Sequence, residues 1–406
     1  MTNRSIRIAL ANNIRSRKRL VQAAYRNLSH YHAVYKQYIP SAFEVALGVL
    51  KVHRRRLKQG KPTRAPFIRR LMLKAENQSY SLDRETGILD LPIRAGEHVR
   101  IHLPVSTWHR SFLSDASWAL GSLTLIPGKV VITVRRTAPK AYEPLSAIAL
   151  DTNADSLDGV VAQGNDTRAT VIRLDEVKQI QATHFRRRRK LARKKANDRR
   201  IAQRLLANES RRERNRVRQR LHVASRGLVH AAKERGAAIV LEKLALRWSG
   251  GFSRRMNRRR ASWPRGEIHR QIEYKAALEG VPVIKVNPAW TSKTCPVCGA
   301  RRRDRVGKDF VCLVCDWEMD RQINAGMNIL KTALASNEAL ARAVRFQPGA
   351  LRHDVVIPLY DLSALPTGAR EEPSGVESGF QKIPGRTEGP SHTESTSRSQ
   401  NRAYAE

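Results

Sequence analysis

Four cysteines lie within 21 residues, as CPVCG (295–299) and CLVC (312–315), and the chain has no others. Each Cys-x-x-Cys turn offers two thiolates, and two such turns close a tetrahedral Zn²⁺ site. The 13 residues between the turns are slightly fewer than in the usual ribbon pattern, but ARRRDRVGKDFV carries a Gly turn and a β-like Phe–Val, as a ribbon hairpin would. Cys295, Cys298, Cys312 and Cys315 are therefore expected to hold zinc; two redox or unrelated thiol pairs are the competing reading. Four protein ligands leave no open position, so this zinc is structural. Clustered cysteines also favour a metal site in a reducing compartment over a disulfide framework.

A second set of residues suits a different metal. Asp151 ends the apolar run SAIAL, Glu242 ends AAIVL, and Asp320 opens the helix-spaced segment DRQINAGMNIL. An acid at the end of a first strand, one on a later strand and one at a helix start is the geometry of an RNase H-like nuclease core. There the carboxylates hold two Mg²⁺ ions about 4 Å apart for phosphodiester hydrolysis, and hard cations prefer oxygen ligands. Each acid also has a plainer reading. Asp151 suits a turn, Glu242 an ion pair with Lys243 or Arg247, and Asp320 an N-cap.

These residues need elements to position them. Residues 145–290 alternate between strand and helix: LSAIALD, LDGVVAQ and ATVIRLD read as consecutive strands, with turns at Asn153–Asp155 and Gly164–Asp166. A long helical segment over 175–235 follows, then the strand AAIVLE, a basic loop through Arg260, a helix over 265–279 and the strand VPVIKV. Residues 12–76 read as helical, and 78–148 alternate in the manner of an antiparallel sheet or small barrel, which SIRIAL near the N-terminus could join. Residues 364–406 are rich in Pro, Gly, Ser, Thr and Glu and are expected to be disordered.

The charge balance narrows the function. Of 406 residues, 76 are Lys or Arg (56 of them Arg) and 36 Asp or Glu, a formal +40. Such a charge repels itself unless a polyanion neutralises it, which points to nucleic acid and away from a free-standing small-molecule enzyme. Residues 186–220 hold 17 Lys/Arg against 3 Asp/Glu, too one-sided for a salt-bridged solvated face. Their sparse apolar positions (Leu191, Ile201, Leu205, Val217, Leu221) fit a helical hairpin with one wall open. Arg186, Arg187, Arg188, Arg189, Lys190, Arg193, Lys194 and Lys195 are candidate phosphate contacts. So are Arg254, Arg255, Arg258, Arg259 and Arg260 of a second cluster, where Trp248, Phe252 and Trp263 could stack on bases or fill the core. Arg301–Arg303 and Arg305 make the ribbon tip basic. No run approaches the ~20 apolar residues of a spanning helix, and the N-terminus lacks a signal peptide's pattern, so a cytoplasmic, nucleoid-associated protein is expected.

VNPAWTSKTCPVCG (286–299) followed by FVCLVCDWEMDRQINAGMNIL (310–330) resembles the signature of the TnpB (OrfB) proteins of bacterial and archaeal insertion sequences, compact relatives of type V CRISPR effectors. IALDTN (148–153) and IVLEKL (239–244) are similar to that family's first two RuvC motifs, and IHRQIEYKAALEGVPVIKVNP (268–288) to the helix and strand leading to its ribbon. The resemblance covers about 145–335 well, and the N-terminal third in layout only. It implies an α/β RuvC (RNase H-like) nuclease core over 145–290 and 318–363, with a zinc ribbon inserted at 291–317. It further implies a wedge-like β-barrel from 1–11 and 77–144 carrying a helical recognition insertion at 12–76. The implied activity is RNA-guided, Mg²⁺-dependent cleavage of double-stranded target DNA, with a transposon-derived guide RNA supplying the sequence. Asp151, Glu242 and Asp320 would hold the two ions, and Arg321 would steady the scissile phosphate or pack structurally.

The chain departs from the pattern in three places. Asn153 stands where Gly is common, and Asn tolerates left-handed backbone. Asp316 replaces a common Gly after the second knuckle, and DRQINAG replaces the commoner Asp-Arg-Asp-x-Asn-Ala-Ala. No metal ligand is lost, so a live nuclease is expected, against a degenerate inactive copy. Two rivals remain: a non-catalytic zinc-ribbon nucleic-acid-binding protein, and a transposase or transposase accessory that uses the same core without a guide. Oligomeric state, guide and target-adjacent motif are not encoded legibly.

Overall fold

In the computed structural model, the described residues are 1–244, 253–302, 307–351, 356–357 and 359. The expected disorder of 364–406, and the roles of Trp248, Phe252, Arg303 and Arg305, lie outside them.

Three helices open the chain: α1 (Thr2–Ala11), α2 (Arg17–Tyr31) and α3 (Tyr38–Lys58). They close around Ile6, Leu20, Leu28, Ile39, Phe43 and Leu50. The expectation that SIRIAL forms a strand is corrected here. Its apolar residues alternate, but the buried ones are Ser5, Ile6 and Ala9, the three- and four-residue spacing of a helix face. The strands that follow are β1 (Leu73–Ala75), β2 (Ser81–Leu82), β3 (Ile88–Arg94) and β4 (Glu97–His102). After helix α4 (Thr107–Leu113) come β5 (Ala119–Ile126) and β6 (Lys129–Arg135). They form two three-stranded antiparallel sheets, β1-β5-β6 and β2-β3-β4, not one closed barrel. Both sheets bury residues in one apolar cluster that includes Ala75, Leu89, Leu91 and Leu123, which removes the need for edge-to-edge closure.

The remainder is built on one mixed sheet. Strands β7 (Ser146–Thr152), β8 (Ser156–Gln163) and β9 (Asp166–Arg173) form an antiparallel meander. Helices α5 (Asp175–Lys194) and α6 (Arg199–Glu234) lead to β10 (Ala237–Glu242), which lies parallel to β7. Helices α7 (Arg254–Ser262) and α8 (Arg265–Glu279) lead to β11 (Val283–Val286), parallel to β10. Residues 254–262, expected as loop, are thus helical; Ser253 caps α7 by accepting from Met256 N. The hairpin β12 (Asp309–Val311) and β13 (Glu318–Asp320) precedes α9 (Arg321–Ser336) and α10 (Glu338–Ala343), and β14 (Val356–Ile357) adds to the far edge. The sheet order is β11-β10-β7-β8-β9-β14.

The two faces of this sheet are unequal. Ile148, Leu150, Leu157, Ile239 and Leu241 pack on α6 and α8. The opposite face presents smaller groups, Ala147, Ala149, Val160, Ala162 and Ala238, to α9. There the helix comes into backbone contact: a Cβ on Gly326 of α9 would lie 2.4 Å from Gly159 Cα and 3.3 Å from Ala149 O. A Cβ on Gly159 would lie 1.9 Å from Ala149 O, so neither position accepts a side chain. Gly326→Ala should gain about 1 kcal/mol of helix propensity yet lose more, about 1–3 kcal/mol of overpacking. A lowered denaturant midpoint is the expected result; an unchanged or raised one would show that the contact can relax.

Candidate functional site

Strand alternation decides which carboxylates meet. On β7, Ala147 and Ala149 face α9, and Asp151 continues that series. On β10, Ala238 and Val240 face α9, and Glu242 continues theirs. The parallel register Leu150↔Leu241 places Asp151 and Glu242 side by side at the same end of neighbouring strands. On β8, Asp158 shares a face with Val160 and Ala162, and it pairs directly across from Asp151. Asp320 is the N-cap of α9, whose axis runs over this face, and its Oδ1 accepts from Gln322 N at 2.7 Å and Ile323 N at 3.3 Å. The capping role and the site role of Asp320 are thus compatible.

The expected three acids are therefore joined by a fourth, Asp158, which is buried. Its signal was present in LDGVVAQ but hidden, because an acid inside a strand reads as solvent-facing unless its partner is known. Asn153 Nδ2 donates to Asp158 Oδ2 at 2.7 Å, and the Ser156 hydroxyl donates to the same oxygen. The expectation that Asn153 serves as a left-handed turn residue is corrected: among the described non-glycine residues only Asn13, Trp290 and Asp316 have positive φ. Asn153 acts through its side chain instead.

Packing like charges together has an electrostatic cost. Burial, then the charges of Glu242 and Asp158, push the Asp151 carboxyl up to about 7. Burial likewise raises Asp158, with Asp320 and Asp155 adding to it, and burial raises Glu242 against the opposing hydrogen bond from Thr291. Thr291 Oγ1 donates to Glu242 Oε1 at 2.7 Å. Behind Asp151, Thr152 Oγ1 and His269 Nε2 share a buried hydrogen bond of 2.7 Å, and burial holds His269 down at about 4, uncharged. Beside the acids is a cleft of about 390 Å³ whose lining includes Asp155, Asp158, Asp320 and the cations Arg173, Lys308 and Arg321.

The cysteines converge as expected. Their four sulfurs lie within 4.8 Å of one another, with Cys295–Cys315 at 3.6 Å and Cys298–Cys312 at 3.5 Å. Tetrahedral Zn–S bonds of about 2.3 Å put sulfurs about 3.8 Å apart, so the cage fits zinc. Among the described residues this is the one such set drawn that close; the carboxylates stand further apart. Gly299 follows the first knuckle at φ +78, and Asp316 follows the second at φ +55. The ribbon is tied to α9 by two asparagines one turn apart. Asn324 Nδ2 donates to Thr294 O at 3.0 Å, and Asn328 Nδ2 to Thr291 O at 2.9 Å and Thr294 O at 2.7 Å. The main-chain N–H of Arg321 donates to Lys308 O and its guanidinium to Gly307 O, each at 2.8 Å. These bonds tie Arg321 to the ribbon, and the residue also lines the cleft.

Most of the basic candidates are exposed. Helices α5 and α6 form a hairpin locked by the buried pair His184–Glu209 at 2.7 Å. Val217 and Leu221 are buried beneath it, whereas Ile201 is 44% exposed. Arg186, Arg187, Arg189, Lys190, Arg193, Lys194 and Lys195 are exposed, while Arg188 pairs with Glu213. Gln181 Nε2 donates to Ser262 O at 2.6 Å, and the Arg258 guanidinium sits 4.4 Å from the centre of the Phe185 ring. The cluster of α7 is thereby brought against that of α5. Arg254, Arg258 and Arg260 are exposed; the side chains of Arg255 and Arg259 lie outside the described residues. Trp263 is half-buried with the Arg265 guanidinium 4.9 Å from its ring centre.

Residues 266–329 match the family model of the Cas12f1-like TNB domain. A TnpB-like protein of Methanocaldococcus jannaschii is 26% identical over 243 residues, spanning 57% of this chain and 86% of that protein. The CRISPR-associated endodeoxyribonuclease Cas12f1 of Sulfoacidibacillus thermotolerans is 36% identical over 70 residues, 17% of each chain. The chain resembles the TnpB proteins and their compact type V relatives. A Cas12f1 protein solved with its sgRNA and target DNA shares the fold, with a TM-score of 0.51 at 14% identity over 81% of this chain and 79% of that one. Among the described residues no helix is long and apolar enough to cross a membrane.

Two outcomes follow from these geometries. Asp316→Gly should relieve a left-handed backbone that costs an L-residue up to about 1–2 kcal/mol, read as slower zinc loss to a chelator; faster loss would place another role on Asp316. A carboxyl whose folded pKa is raised contributes stability that is full below its unfolded value near 4 and lost as pH rises through about 7. In metal-free buffer, Asp151→Asn should therefore raise the melting temperature at pH 8 and leave it nearly unchanged at pH 4. Equal effects at both pH values would contradict the crowding of carboxylates.

Proposed function

We propose that the chain is an RNA-guided, divalent-metal-dependent DNA endonuclease of the TnpB type, with a RuvC-like (RNase H-like) catalytic core. The observation that carries this reading is the gathering of Asp151, Glu242, Asp158 and Asp320 from four elements onto one face, within a chain of net charge +40. So close a concentration of partly buried acid must take up either protons or a cation. The donor set is all oxygen, as Mg²⁺ requires. Four carboxylates offer enough oxygens for a pair of ions, the arrangement used in phosphodiester hydrolysis.

Asp151, Glu242 and Asp320 would hold the ions, with Asp158 beside them. Bound divalent cations would supply activation of a water molecule and neutralisation of the leaving phosphate oxygen. The chain's own residues set the geometry. Backbone N–H groups at the start of α9 fix Asp320, Thr291 fixes Glu242, and Asn153 with Ser156 fixes Asp158. His269, held neutral, fixes the Thr152 hydroxyl without adding a charge behind Asp151. Arg173, Lys308 and Arg321 attract phosphate to the cleft, and α5 with α7 offers a wider surface to guide RNA and double-stranded target DNA. The zinc ribbon is structural, joining α9 to the loop that carries Thr291.

The test co-expresses the chain with RNA from the flank of its gene and adds target plasmid with Mg²⁺. Cleavage should require the RNA, vanish with Asp151→Ala or Glu242→Ala, and fall about 10–100-fold with Thr291→Val, as when a partner orienting a metal ligand is removed. Metal-dependent cleavage or strand transfer without RNA would instead identify a transposase. Tight binding without cleavage would identify a non-catalytic binding protein or a decayed enzyme.

A further inference from the structure

One aromatic residue has a conformation and a location that packing does not explain. Trp290 has φ +69, a genuine outlier for a bulky side chain. It is 49% exposed and belongs to none of the apolar clusters of the described residues. Its backbone is nonetheless held firmly. Trp290 O accepts from Lys293 N at 2.9 Å, from Thr294 N at 3.0 Å and from Thr294 Oγ1 at 3.0 Å. The following residue, Thr291, donates to Glu242 and is anchored to Asn328. The strained backbone therefore fixes a large ring one residue from a group that orients a site carboxylate. Strain of this kind persists only where surrounding structure over-determines it.

The ring is also dressed with charge. Lys293 Nζ lies 5.7 Å and the Arg301 guanidinium 5.3 Å from its centre, within the reach of cation–π attraction. An exposed indole flanked by two cations has the chemistry of a nucleobase-stacking platform, the ring meeting the base and the cations the phosphates beside it.

We propose that Trp290 stacks on an unpaired base of the DNA strand that approaches the carboxylates, and so sets that strand's register at the site. The partner class is single-stranded DNA, and the inference rests on the nuclease reading only for where the strand is going. The stacking itself is sequence-tolerant, because every base offers a π-face.

The experiment uses the full chain with Asp151→Asn, so that binding is measured without cutting. The probe is a fluorescein-labelled 20-nucleotide single strand of mixed sequence, followed by anisotropy with and without the flank RNA. Trp290→Ala, which keeps a Cβ at the strained position and removes only the ring, should weaken binding about tenfold. Trp290→Phe should restore most of it. With the flank RNA present, strands that pair with its guide segment, which fixes their register, and carry an abasic site walked along their unpaired end should show one position where the loss matches that of Trp290→Ala and does not add to it. Unchanged affinity in Trp290→Ala, with zinc content and melting temperature intact, would overturn the proposal. If zinc is lost in Trp290→Ala, the abasic walk on the Trp290-containing chain decides alone: a flat profile overturns the proposal and a single sensitive position supports it. Failure of RNA-dependent cleavage by the unsubstituted chain, measured separately, would count against the nuclease reading and leave the stacking result standing.

Discussion

The closeness of α9 to the central sheet governs the rest of the site. Gly326 rests on Gly159, and Ala147, Ala149, Ala162 and Ala238 keep the facing strands low. Larger side chains at these positions would lift α9 and carry Asp320 away from the strand ends. Held down, it brings its capped N-terminus over Asp158 and lets Asn324 and Asn328 reach the loop at Thr291–Thr294. From there one hydroxyl fixes Glu242. A patch of small residues on three strands and α9 thus sets the positions of a helix cap, a four-cysteine ribbon and a strand-end carboxylate.

The electrostatics of the chain oppose one another in space. The segment beyond residue 363 holds 5 basic and 6 acidic groups, so the first 363 residues carry +41. That charge is densest over 186–220, on α5 and α6, and on α7, which is brought against α5 through Phe185 and Gln181. The acids are gathered on the opposite face of the sheet from α6 and α8, among apolar residues that deny them solvent. Burial raises the affinity of Asp151, Asp158 and Glu242 for protons. Marginal stability is exchanged for a concentrated negative site that phosphate alone would avoid.

Much of this was legible in the chain. The cysteine spacing names a four-sulfur site without knowledge of the fold, because knuckle geometry is local. The apolar runs over 145–290 mark five strands, and the order Asp151, Glu242, Asp320 with strand or helix ends marks an acidic site. Where local pattern failed, a non-local contact prevailed. SIRIAL alternates like a strand, but its burial against α3 makes it α1. Residues 254–262 look like a basic loop, but a serine cap and contact with α5 make a helix. Asn153 substitutes for a flexible turn residue in sequence, yet its role is a hydrogen bond to an acid five residues on.

The sequence by itself determined the four-cysteine cage, the strand–helix alternation and the sign and size of the charge, since each is carried by residue type and short spacing. Tertiary structure alone decided that Asp158 joins the acids, that two basic segments about seventy residues apart meet, and that Trp290 stands strained beside Glu242's partner. The reason is register. Which face an acid occupies, and which neighbour it meets, follows from how strands pair and how closely a helix is allowed to approach, and neither is written in any one segment of the chain.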